Sequence, residues 1–196
     1  MNYLAHIYLS GEDSHRILGN FIGDEVKGNS YQEFPISLQR GILLHRAIDT
    51  YTDTHPIVRQ STKRLHPYYS HYSGVIVDIF YDHYLAHNWK NYSSIPLSQF
   101  ASDFYQLAQE NLTLLPEKIQ QLLPYMISGN WLVSYATLEG IDEVLHNMNR
   151  RTGYRSGMDT AGQELRQYYE EFKKEFEMFF EDLQAYAAQK ITELSV

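Results

Sequence analysis

Residues 75–87 constrain the chain most: Val75-Ile76-Val77-Asp78-Ile79-Phe80-Tyr81-Asp82-His83-Tyr84-Leu85-Ala86-His87. A helix built from them is apolar nearly all round, so it has to be buried among other elements. Strand-like alternation is scarce elsewhere, and proline and glycine punctuate sparsely, so the surrounding elements are expected to be helices as well. The fold class expected is all-α, a single-domain helical bundle over 1–196.

Start and stop signals outline the other helices. One is expected over 13–26, with Asp13 or Ser14 capping its first turn. A second covers 36–51 after Pro35, with Leu44, Ile48 and Tyr51 on one face beside Gly41. Pro56 opens a third, reaching about Leu65. Shorter helices follow at 97–111, 116–127 (opened by Pro116) and 138–150. The segment 161–194 reads as one long amphipathic helix rich in Glu, Lys, Phe and Tyr. Arg150-Arg151-Thr152-Gly153-Tyr154-Arg155-Ser156-Gly157 is the best loop candidate, and a candidate place for the last helix to separate from the body.

Composition removes several function classes. The chain has no cysteine, which excludes disulfides, thiolate zinc sites and cysteine nucleophiles. Any metal would need imidazole and carboxylate ligands, which favour harder ions such as Mn²⁺, Mg²⁺ or Fe²⁺. A formal net charge of -8 argues against nucleic acid as a partner, because phosphate neutralisation needs many cations. The opening residues lack the basic and apolar regions of a signal peptide, and no apolar run approaches a membrane span. A cytoplasmic protein with no membrane partner is the expectation.

Asp78 and Asp82 are the main anomaly, because four residues apart on a helix they share a face. Carboxylates on so apolar a helix are costly to desolvate unless paired, hydrogen-bonded or bound to a metal. His45 and Asp49 repeat the spacing on the 36–51 helix, where an imidazole and a carboxylate on adjacent turns can chelate one ion. Asp24 ends an apolar helix. Three helices thus carry metal-competent groups, and helical bundles recurrently build metal sites this way.

Residues 1–160 resemble the acyl carrier protein phosphodiesterase family. The resemblance rests on the opening Met1-Asn2-Tyr3-Leu4-Ala5-His6 and on Gly19-Asn20-Phe21-Ile22-Gly23-Asp24 with Lys27-Gly28. Gly41-Ile42 with His45-Arg46 and Ile48-Asp49, then Thr52-Asp53, and Asp78 with Asp82-His83 and Leu85 complete it. The resemblance implies a rearranged HD-domain phosphohydrolase fold and Mn²⁺ dependence. It also implies acyl carrier protein as substrate, with 4′-phosphopantetheine removed from its serine. Carried over, it makes Asp24, His45, Asp49, Asp78 and Asp82 the metal candidates, with His83 beside them. His6 either lines that site or simply packs in an N-terminal helix, and Asp53 is expected to cap or pair locally.

Phosphodiester chemistry then suggests roles. Asp49 or Asp82 is the candidate to take a proton from water, His83 the catalytic acid for the departing serine oxygen, and Arg46 a clamp on the phosphate. Arg150 and Arg151, with Arg155, form the candidate substrate-docking face; Lys63 and Arg64 form a secondary patch. His15, His55, His66, His71, His87 and His146 read as structural or surface residues. Two other functions fit the same residues: an HD-type hydrolase of a small phosphate ester or nucleotide, and a non-catalytic helical binding module whose acids pair with arginines.

Overall fold

The computed structural model describes residues 1–195. Its helices are α1 (Tyr3–Tyr8), α2 (Ser14–Phe21), α3 (Ile36–Thr54), α4 (Pro56–Tyr69), α5 (Ser73–His87) and α6 (Leu97–Glu110). They continue as α7 (Glu117–Ser128), α8 (Trp131–Ser134), α9 (Leu138–Arg151), α10 (Gly162–Gln167) and α11 (Tyr169–Ser195). No strand occurs among the described residues.

The apolar α5 is the central post. Ile76, Val77, Ile79, Phe80, Tyr81, Tyr84 and Leu85 are all buried, and α1, α4, α9 and α11 pack around it. On α11, Phe172, Phe176, Phe179, Phe180 and Leu183 form one buried stripe at helical spacing. Phe172 meets Phe80 edge-on at 5.2 Å and Phe176 meets Tyr81 at 5.6 Å. Each such ring contributes about 1.5–3 kcal/mol on burial.

Most helices were legible in the sequence, but α8 was not expected and several boundaries differ. Asp13 caps α2, accepting from the Arg16 amide at 2.7 Å. The helix stops at Phe21 and passes into a short 3₁₀ turn, Gly23–Glu25, rather than reaching residue 26. The C-terminal helix is two helices with a break at Tyr168. The break turns α10 onto α9, where Arg166 grips Asp142 at 2.6 Å, while α11 runs along α3, α4 and α5. The 150–157 loop is no free linker: Asn149 Oδ1 accepts from Ser156 Oγ at 2.8 Å and from the Gly157 amide at 3.2 Å.

α2 and α3 form the tightest helix pair, and glycine permits it. A Cβ on Gly41 would lie 2.3 Å from the Arg16 carbonyl and 2.8 Å from Gly19 Cα. Backbones in such contact bring Asn20, at the end of α2, against the middle of α3. That juxtaposition builds the site.

Candidate metal centre

The centre begins with one buried amide. Asn20 Nδ2 donates to the His6 carbonyl at 2.9 Å and to Ser10 Oγ at 2.8 Å. Both are acceptors here, since the Ser10 hydroxyl gives its own proton to the His6 carbonyl. The orientation of the amide is therefore fixed, and Oδ1 is the atom facing His6 Nδ1 at 2.8 Å. An amide oxygen only accepts, so His6 Nδ1 carries a proton. His45 Nδ1 likewise faces the Asn20 backbone carbonyl at 2.8 Å and must donate. Whenever either ring is neutral, its lone pair is then on Nε2.

Both Nε2 atoms point at one carboxylate. His6 Nε2 is 3.2 Å from Asp49 Oδ1, and His45 Nε2 is 3.0 Å from Asp49 Oδ2. The rings stack with centroids 4.1 Å apart, and a Cβ on Gly23 would lie 2.2 Å from His45 Cγ. Glycine at that position makes room for the imidazole. Asp24, on the 3₁₀ turn, approaches His45 Nε2 at 3.3 Å.

Charge in the cluster is unevenly spread. Burial pushes His6 down to about 4, and neighbouring His45 adds to this against the pull of Asp49. Burial also opposes a charge on His45, but Asp24 and Asp49 together outweigh it and raise the ring to about 9. Asp49 is held well below the usual carboxylate range: burial opposes this, and the hydrogen bond to His45, with the His6 ring and the Met1 ammonium close by, prevails. His6 thus stays neutral, and its buried Nε2 makes no hydrogen bond.

These residues fit a hard divalent cation. One donor atom each from His6, His45 and Asp49 lie within 4.8 Å of one another. Neighbouring donors on an octahedral ion with bonds of about 2.1 Å stand roughly 3 Å apart, close to the spacings seen. Metal-bound histidines characteristically donate their other nitrogen to an oxygen, as both do here through Asn20.

The cluster lies beside a cleft of about 500 Å³, whose walls include Asp24, Asp49, Asp53, Asp78, Trp131 and Arg151. Three of the residues expected in the metal shell therefore gather there: Asp24, His45 and Asp49. Asp78 also lines the cleft but is paired with the Met1 α-ammonium at 3.0 Å.

The other expected positions lie elsewhere. Asp82 is fully buried behind α1, where its Oδ2 and Oδ1 accept from the Leu4 and Ala5 amides at 2.8 and 3.3 Å. It satisfies the free amides at the start of α1, the helix that carries His6, so it is a positioning residue and not a ligand. His83 does not reach the cleft: Nδ1 donates to the Tyr135 carbonyl at 2.8 Å and Nε2 meets the Tyr169 hydroxyl at 3.0 Å. Burial pushes it down to about 4, so it lacks the charge a general acid needs near neutrality.

Arg46 also leaves its expected role. Its guanidinium donates to the Val26 and Gly28 carbonyls at 2.9 and 2.8 Å and covers the Tyr31 ring at 5.1 Å, tying down the loop after Asp24. Arg151 lines the cleft and lies over Trp131 at 5.8 Å, whereas Arg150 is exposed outside it. Asp53 is exposed on the cleft wall. Sequence alone leaves His6 between lining and packing and assigns Asn20 no role. Their shared signal was a polar residue beside apolar neighbours within each family-like motif.

Imidazole and carboxylate donors, raised on α1 and α3 beside an open cleft, form a donor set compatible with a hard divalent cation. The chain belongs to the acyl carrier protein phosphodiesterase family, whose model matches residues 1–183. It is 34% identical to the acyl carrier protein phosphodiesterase of Photorhabdus laumondii, over 92% of this chain and 91% of that one. The corresponding protein of Pectobacterium atrosepticum is 32% identical over 92% and 94%, and that of Escherichia coli K12 is 29% identical over 97% and 99%. No solved structure matches the chain. No helix among the described residues is long and apolar enough to cross a membrane.

Proposed function

We propose that the protein hydrolyses the phosphodiester joining 4′-phosphopantetheine to the serine of a holo acyl carrier protein, with a divalent cation held by His6, His45 and Asp49. One observation carries the chemistry: Asn20 accepts from Nδ1 of both imidazoles, so that both Nε2 atoms converge beside Asp49, where a cation takes the place of the second His45 proton. The names of the relatives carry the substrate. Asp24 completes the proposed donor set, and Mn²⁺ is the ion we favour. Kinship with the HD-domain phosphohydrolases is part of this proposal and is consistent with histidines and aspartates mounted on helices.

Such a cation supplies charge neutralisation at a phosphate oxygen and activation of water. The chain's own groups supply the rest. Arg151 and Lys27 on the cleft wall offset the remaining phosphate charge. The Tyr3 hydroxyl, also on the wall, is pushed up to about 12 by burial and by Asp24, so it keeps its proton and can donate a hydrogen bond to the diester. Trp131, Val144 and Met148 give the far wall an apolar surface that can pack on the gem-dimethyl group and methylenes of the pantetheine arm. Asp53 replaces Asp82 as the carboxylate free to take a proton in the cleft.

The test is phosphopantetheine release from holo acyl carrier protein, followed as a mass shift, with chelator-stripped enzyme before and after Mn²⁺ is restored. Release that depends on the added ion supports the reading. Hydrolysis of nucleotides or small phosphate esters without release from the carrier protein would favour the small-ester alternative.

A further inference from the structure

A second groove, of about 610 Å³, adjoins the cleft and shares Asp53 and Asp78 with it. Its walls include Arg59, Lys63 and His66. These residues follow i, i+4, i+7 spacing on α4, so they form one face of that helix, and all are exposed. None has a carboxylate within ion-pair distance among the described residues. The chain has no acid at all between Asp53 and Asp78, although its net charge is -8. At the floor, the position of a Cβ on Gly74 meets no atom within 4 Å, which leaves the groove open.

Resting on the carrier-protein reading above, we propose that this Arg59–Lys63–His66 face docks the acidic surface of the carrier protein and delivers its modified serine into the cleft. With a net charge of -8 this chain repels an acidic protein substrate at long range, so a local basic stripe is what can steer the encounter. α4 offers that stripe in continuity with the metal centre. The competing cluster on α9 is electrically mixed: Arg150 and Arg151 share their helix with Glu139, Asp142 and Glu143. Arg64, expected from sequence to stand with Lys63, turns inward and binds Glu175 through both guanidinium nitrogens at 2.7 and 2.6 Å.

The test compares the wild type with Arg59→Glu/Lys63→Glu and with Arg150→Glu/Arg155→Glu, each checked for its melting temperature and Mn²⁺ binding. kcat/KM is measured on holo acyl carrier protein and on bis(4-nitrophenyl) phosphate, at low and at physiological salt. The α4 reversal is expected to lower kcat/KM on the carrier protein by roughly tenfold or more at low salt. It should also flatten the salt dependence, with the loss confined to the protein substrate. The α9 reversal should act far less. An unchanged kcat/KM on the carrier protein in the α4 variant overturns the proposal, as does an equal loss on the small diester or a loss seen only in the α9 variant. A wild type that cleaves the small diester yet leaves the holo carrier protein intact overturns the carrier reading, and the docking face with it.

Discussion

Asn20→Ala removes a side chain that is fully buried and makes three hydrogen bonds, at 2.8, 2.8 and 2.9 Å. The His6 carbonyl keeps the Ser10 hydroxyl as a donor, so the main group orphaned is His6 Nδ1–H. Leaving a buried donor without an acceptor costs about 1–3 kcal/mol. At this chain length that lowers Tm by roughly 2–12 °C. The effect on the centre is separate. Once Nδ1 has no acceptor, the His6 proton can move to Nε2 and bond Asp49 directly, which ties up both atoms. Loss of such an orienting partner weakens metal affinity about 10–100-fold. Titration calorimetry of chelator-stripped protein with Mn²⁺, beside thermal melts, measures both effects. A variant that melts lower but binds Mn²⁺ as tightly as the wild type would show that Asn20 supports only the fold, and the tautomer reasoning would fail.

Gly23→Ala drives a Cβ against the His45 ring; it is expected to cost about 1–3 kcal/mol of stability and on the order of 10²-fold in turnover, and unchanged turnover would refute the packing claim. His83→Gln should lower Tm, through the lost Tyr135 and Tyr169 partners, while keeping turnover within a few-fold. A loss of roughly 10²–10⁴-fold in a folded variant, the range for a general acid, would return His83 to catalysis. Asp82 carries the pH prediction. Burial raises its carboxyl to about 7 from 3.8, against the Met1 ammonium and the Leu4 and Ala5 amides. The folded state therefore binds the proton more tightly, and this group's contribution to stability falls as pH rises from about 4 through about 7. Denaturant melts of wild type and Asp82→Asn across that range should differ by an amount that changes with pH; a constant difference contradicts the assignment.

The helical class and the burial of α5 were legible because an element apolar on every side has only one place to go. The paired acids on α5 were the right anomaly with the wrong partner: Asp82 is desolvated to hold the amides of α1, a long-range contact that helical spacing cannot reveal. His45 and Asp49 were legible because i, i+4 spacing is local. His6 and Asn20 were not, since their meeting depends on the Gly19–Gly41 crossing, and on its own each residue looks like an ordinary buried polar group. His83 misled for the opposite reason. Adjacency in sequence to Asp82 says nothing about direction, and on α5 both ring nitrogens are taken up by the Tyr135 carbonyl and the Tyr169 hydroxyl, with the ring absent from the cleft wall. The split of the last helix at Tyr168 carried no glycine or proline to announce it.

The central claim is that His6, His45 and Asp49 together hold one divalent cation. Titration of chelator-stripped wild type, His6→Ala and Asp49→Ala with Mn²⁺, with circular dichroism to confirm that each stays helical, tests it most directly. The account predicts one saturable site in the wild type that is lost in both variants. A wild type that binds no ion, or a folded His6→Ala that binds Mn²⁺ as tightly as the wild type, would contradict it.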